Sequence, residues 1–423
     1  MLNNFSQFLY KQFLPASDNT AAWLFSISTL AYFYFLSVKA DSSIFIVIMG
    51  FFAIVTIWSS RVWFYWNKNI KIALILCGAY IGAALISCLL NPATLYNFYM
   101  LLLWPLCLIS GYVMAVIAPE RKFLPVRMNL VALLFTGLIL MPCYDLFFGE
   151  ANFILNHNRL QLMTPHPGRL AMFSALGIFL CGYECSKTSY PKSLIFIISG
   201  SILIVILYLT SMRTLILPVF IFVLIMLGLM LKKKSHILKL GVILAVLAIG
   251  MIIYKYTDDT SLSSNKKMLS VLSNLHEDPT IISRLAIWDA SLNLFKEAPV
   301  FGHGVKSFRP LHKEYVQQHA EEFNQKYKYW EKTASSAHNI IIGRLVESGV
   351  IGTILYLAFY LFLLYKTLKG PGLERWVGFF LIFYLVVGML NDMPYRINDY
   401  FIFFLAGAAL ADRALGDASR QEP

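Results

Sequence analysis

Charge is what this chain has least of. Charged residues are 14% of its 423 residues, against about 25% in soluble domains, while apolar ones reach 58%. That ratio excludes a soluble multidomain enzyme, which could not bury so much apolar surface, and it excludes a disordered chain. Acids are scarcest, 23 Asp+Glu against 35 Lys+Arg, which leaves +12. Cysteine is sparse too. Cys77, Cys88, Cys107, Cys143, Cys181 and Cys185 all fall inside apolar segments, so they imply neither a disulfide framework nor a zinc site and read as small core residues. The H-x-x-H and H-E-x-x-H spacings are missing, so metal ligation has no motif to rest on. Residues 1–20 lack the basic start and apolar core of a cleavable signal peptide, and no solenoid-period repeat occurs.

What is present is long apolar runs. Twelve can be placed, at about 21–38, 43–59, 70–90, 95–118, 127–148, 169–184, 193–210, 214–231, 236–255, 338–366, 375–391 and 398–413, each near the length a bilayer span needs. The sixth is short. The pattern predicts an all-α polytopic membrane protein with about 12 transmembrane helices and one long periplasmic loop containing helices. Residues 1–255 would hold spans one to nine, 256–337 the loop, and 338–423 the last three spans and a cytoplasmic tail. Placing the N-terminus in the cytoplasm puts 18 Lys/Arg and seven acids on the inner side, about +11, and 17 Lys/Arg against 16 acids outside. An even span count puts both termini inside. The basic excess is therefore a topology signal, not a nucleic-acid footprint.

Two outward clusters break this pattern. Residues 256–337 are too long for an idle connection. Within them TIISRLAIWDASLNLFKEAP predicts a helix with a stripe at Leu285, Trp288, Leu292 and Phe295, stopped by Pro299, lying on the membrane face or packed on the bundle. The turn LTSMRTLILP is the second cluster and places Arg213 at the outer ends of two spans. Seven of eight histidines fall outside. His303 sits between Gly302 and Gly304, a tight-turn signal, while His157 and His166 flank Arg159. His338 opens the tenth span. There a histidine is held at fixed depth, and a neutral imidazole can accept a proton. Such a residue can equally be an idle interfacial histidine. Arg213, Arg284, Arg159 and Arg169 near the hydrocarbon boundary need a carboxylate, a watery cavity or a phosphate. Their forked donors fit phosphate oxygens, although snorkelling or pairing with Asp289, Asp392 or Asp399 would also satisfy them. Asp392 and Arg396 in NDMPYRINDY stand at the same level. Arg344 and Glu347, three apart, are expected to pair with each other in a structural role.

These residues carry a resemblance. The arginine-bearing SRLAIWDASLNLF, then PVFGHGVKSF, then HNIIIGRLVESGVIG at the loop's end, with the turn TSMRTLILP, resemble the O-antigen ligase and polymerase superfamily of bacterial membrane proteins. The pattern is specific over about residues 200–400 and only topological before that. Within the superfamily, length and span count look most like the ligases. The resemblance implies an inverting, metal-independent, cofactor-free transfer of polysaccharide from undecaprenyl diphosphate to a sugar hydroxyl of lipid A–core. The site would face the periplasm across the bacterial inner membrane. By position, His338 matches the general base, Arg213 and Arg284 match the diphosphate-binding arginines, and Asp392 matches an acid of the last outer loop. Arg159 matches more loosely. His303 stands where an apolar residue is commoner, and no role is transferred to it. The expected partners are the lipid-linked donor, the lipid A–core acceptor and membrane lipid, with no nucleic acid.

The chemistry agrees with those roles. Arginines can match the charge of a diphosphate leaving group, and a weak alcohol nucleophile needs a positioned base. Two lipids in one leaflet are already oriented. An O-antigen polymerase, which takes a second lipid-linked repeat as acceptor, remains the nearest alternative. A lipid-linked oligosaccharide transporter is less suited, because paired Gly/Pro-broken helices with mid-membrane charges are not evident.

Overall fold

The computed structural model describes residues 43–59, 66–117, 155–156, 159–160, 167–187, 193–210, 218–219, 278–330, 332–370, 373–390 and 396–411. Its membrane-type helices are α1 (Ser43–Ser59), α2 (Lys68–Leu90), α3 (Tyr99–Ile117), α4 (Pro167–Lys187) and α5 (Ser193–Leu209), followed later by α9 (Ile340–Leu368), α10 (Leu373–Leu390) and α11 (Arg396–Leu410). Between them lie α6 (Pro279–Glu297), α7 (Phe308–Gln318) and α8 (Ala320–Lys326). A 3₁₀ turn, Pro92–Asn97, joins α2 to α3. The one strand pairing among the described residues is two residues long and antiparallel, Leu155–Asn156 (β1) with Arg159–Leu160 (β2).

Eight of the twelve apolar segments are helical in the structure. Of the other four, 21–38, 127–148 and 236–255 lie outside the described residues, as does 214–231 apart from 218–219. Three helical stretches are long and apolar enough to cross a membrane: Lys68–Leu90, Pro92–Val116 and Ile340–Leu368. The short sixth segment extends into a 21-residue helix. The protein is thus an all-helical membrane protein in its described part.

Packing follows small residues. α3 and α11 cross so closely that a Cβ on Gly111 would strike the Phe404 carbonyl oxygen, and one on Gly407 the Leu108 carbonyl oxygen. Without a hydrophobic drive between helices in lipid, such close backbone approach is what holds spans together. A second core joins α2, α3, α9 and α11 through aromatics. Tyr80 stacks on Trp104 at 5.3 Å, Trp104 meets Phe403 at 4.8 Å, and Tyr356 fills the remaining side. Cys77 and Cys88 in α2, Cys107 in α3, and Cys181 and Cys185 in α4 are buried free thiols.

The sequence reading missed a break in α9. Gly349 has φ 63 and ψ −168, outside helical space and open essentially to glycine alone. The segment before α7 repairs the ladder. Val350 N–H donates to Pro299 O (2.9 Å) and Ile351 N–H to Val300 O (3.3 Å), while His303 and Gly304 N–H donate to the Val346 and Glu347 carbonyls at 2.9 Å each. Gly302 and Gly304 turn with φ 72 and 95, as the GHG spacing predicts. A Cβ on Gly302 would lie 2.6 Å from the backbone of Glu347, Ser348 and Gly349. From α2, Ser87 Oγ donates to Glu347 O (2.9 Å) and Asn91 Nδ2 to Gly302 O (3.3 Å). The loop is therefore stitched into the membrane helices through backbone, not laid over them.

The Gly349→Ala variant should cost about 1–3 kcal/mol in backbone strain alone, with the clash against Val300 added. Thermal unfolding of the purified full chain checks this, with Gly78→Ala as control, since nothing lies within 4 Å of the Cβ that Gly78 would gain.

Candidate active site

α6 begins with Asp278, whose Oδ1 accepts from Thr280 N–H (2.8 Å) and Ile281 N–H (3.2 Å), and Pro279 follows at the first helical position. Its buried face is Ala286, Ile287, Ala290, Ser291 and Leu294. This corrects the stripe expected from sequence. Leu285 and Leu292 are 47% and 43% exposed, and Trp288 and Phe295 only flank the core. The cause is that α6 packs against α7 and the start of α9 with a face that includes the small Ala286, Ala290 and Ser291. Asp289 is engaged by Lys326 Nζ (2.7 Å) and the Tyr327 hydroxyl (2.9 Å). Partial burial pushes its pKa up, but these two hydrogen bonds and the Lys326 charge prevail and hold it below the ordinary value.

His338 immediately precedes α9. Asn339 is the cap, its Oδ1 accepting from Ile341 N–H (3.0 Å) and Ile342 N–H (3.2 Å), and its Nδ2 donates to Met389 O at the end of α10 (3.1 Å). His338 is half-buried and holds φ 49, a left-handed conformation uncommon for a non-glycine residue. Neighbours fix this strap: Trp288 Nε1 donates to Ala337 O (3.0 Å), and Ala334 N–H donates to His312 Nδ1 (3.3 Å). Arg284 sits one turn before Trp288 on α6, so the helix that pins the strap also carries the arginine.

The structure thus brings His338 and the Arg284-bearing helix together. Arg213 and Asp392 lie outside the described residues, Asp392 three positions beyond Met389. Arg159 is opposite Asn156 in the short pairing, beside α5. Arg344 and Glu347 pair as expected, Nη1 to Oε2 at 3.2 Å, both buried. The Arg344 guanidinium also lies over Trp104 and Tyr356, 5.5 and 5.3 Å from the ring centres. His303 Nε2 bonds Leu294 O (2.8 Å), a contact that braces the turn.

Residues 198–357 match the family model described as O-Antigen ligase. By that match, which spans 160 of the 423 residues, this part of the chain is similar to O-antigen ligases. No curated protein gives a match to it. The likeness supports a ligase- or polymerase-type glycosyl transfer. The matched stretch contains Arg213, Arg284 and His338, but neither Arg159 nor Asp392, and it ends short of the 200–400 range of the sequence resemblance.

Sequence reasoning passed over His312 and the polar residues around α7. The residues that start α7, though not His312 itself, line a cavity of about 750 Å³ between the 3₁₀ turn and α7, with Glu347 on one wall. Lys306, Ser307 and Arg309 belong to it. The signal was available: Ser307 followed by Pro310 is a helix-start spelling.

His312 is buried, and burial first, then the neighbouring His338, pushes its pKa from the ordinary 6.5 down to about 4. Its Nδ1 must stay unprotonated to accept from Ala334. The unfolded chain takes up this proton near pH 6.5 and the folded one only near 4, so stability should fall as pH drops through that window. Unfolding temperatures across the window should decline for the native chain, and His312→Phe should flatten the decline.

Proposed function

We propose that this chain is an O-antigen ligase of the inner membrane. On the periplasmic face it would move polysaccharide from undecaprenyl diphosphate to a hydroxyl of lipid A–core. His338, held at the mouth of α9 beside the helix that bears Arg284, is the observation that carries this reading. In the transfer the acceptor oxygen attacks the anomeric carbon, its proton passes to the His338 imidazole, and the bond from that carbon to the phosphate oxygen breaks. The electron pair leaves on undecaprenyl diphosphate. Attack from the face opposite the leaving group inverts the anomeric configuration.

Arg213 and Arg284 bind the diphosphate by charge-assisted, two-point hydrogen bonds, which lowers the cost of the departing charge. The transfer as proposed draws on these side chains and is metal-independent. Asp392 and Arg159 take supporting substrate contacts in this scheme. Both termini would lie in the cytoplasm, with residues 256–337 outside. The left-handed backbone at His338 supports a functional role, because strain of this kind is retained where geometry matters.

In a strain lacking the native gene, a His338→Ala copy should leave bare core while lipid-linked polymer accumulates. A normal lipopolysaccharide ladder on a gel would sink the assignment of the base, and core capped by a single repeat would mark a polymerase. Arg213→Lys should also fail, since lysine keeps the charge without the fork. Full activity of that variant would reduce Arg213 to a headgroup contact.

A further inference from the structure

One polar group at the outer end of the bundle is not used by the transfer chemistry above. α7 starts at Phe308 after Ser307, whose backbone is helical (φ −67, ψ −21) and whose hydroxyl makes no capping bond. Ser307 is 3% exposed, and its Oγ has no hydrogen-bond partner among the described residues. It lines the cavity. The first turn of α7 contains no acid to complement its positive end. Its leading N–H groups have no intrahelical acceptor. Lys306 and Arg309, on either side of it in sequence, line the same cavity. The carboxylate facing them, Glu347, is already engaged: Oε1 accepts from Lys306 N–H (3.0 Å) and Oε2 from Arg344 (3.2 Å).

A helix N-terminus, two cations and a buried hydroxyl unpartnered among the described residues share one cavity wall, and the acid on that wall, Glu347, is already engaged. That is the donor set of an oxyanion site. The cavity, about 750 Å³, is far larger than a bare phosphate needs and falls in the range of small-molecule sites. On the same lining the 76% exposed Tyr96 offers a ring, a group suited to a sugar face.

We propose that Lys306, Ser307, Arg309 and the N-terminus of α7 bind the phosphate of a phosphate-bearing saccharide whose sugar occupies the cavity. Ser335 on the cavity wall is three residues before His338, so a glycan held there has its neighbouring hydroxyls near the base. Assigning that glycan to the acceptor rests on the ligase reading; the phosphate site itself does not.

The test is calorimetric titration of the purified full chain in maltoside micelles with glucose 6-phosphate, glucose and inorganic phosphate. Glucose 6-phosphate should bind, glucose should not, and inorganic phosphate should bind about fivefold more weakly or worse. Arg309→Gln and Ser307→Ala should each weaken the sugar phosphate by about fivefold or more, with ligand-free unfolding temperatures reporting that each variant is folded. Retained binding in Ser307→Ala and Arg309→Gln overturns the site. Equal binding of inorganic phosphate overturns the saccharide assignment. Competition by added phosphatidylglycerol gives the site to a lipid headgroup and overturns it as well. His338→Ala should bind glucose 6-phosphate normally. If that variant still ligates, the ligase chemistry fails while this site stands.

Discussion

A membrane-spanning helix cannot leave backbone groups unpaired, and α9 breaks at Gly349. The remainder of the outer architecture follows from how that break is repaired. In hydrocarbon an orphaned N–H or C=O costs several kcal/mol, so a broken span is tolerated only where other protein supplies partners. Residues 299–304 supply them, giving two carbonyls and two N–H groups to the helix. The same turn is then fixed in depth and direction, and it leads within a few residues into α7 and the cavity. Glycine at 302 and 349 is required because the two backbones touch.

The charged pair one turn before the break ties this repair to the core. Arg344 lies over Trp104 and Tyr356, and Glu347 reaches outward to the Lys306 N–H. A pair this buried adds little net stability, since desolvation offsets the attraction, but losing one member strands the other. Its service is geometric. It fixes the rotation of the first half of α9, and with it the strap that holds His338.

The spans that could be seen were legible because apolar length is a strong, local signal, and so was the α6 helix with its Pro stop. The GHG turn and the Arg344–Glu347 pair were legible for the same reason, since each depends on residues a few positions apart. The buried face of α6 was not, because Leu285 and Leu292 are the larger side chains and outweigh Ala286 and Ala290 in any pattern count. Close approach, which selects the small residues, is decided by partners distant in sequence. The break at Gly349 was hidden likewise: nothing near it spells a kink, and its cause lies some 50 residues earlier at Pro299–Gly304. Of the five site residues, Arg284 and His338 could be located with their surroundings. His312 escaped notice because its importance comes from proximity to His338, not from any motif.

The left-handed backbone at residue 338 has a further consequence. Glycine, and to a lesser degree asparagine, adopts this conformation more readily than histidine. Unopposed drift at the position would therefore run toward those two. Either would relax the strap, and neither carries a ring nitrogen able to take a proton. At residue 338 the side chain best for the fold and the side chain able to act as a base are different ones, and the chain keeps the second.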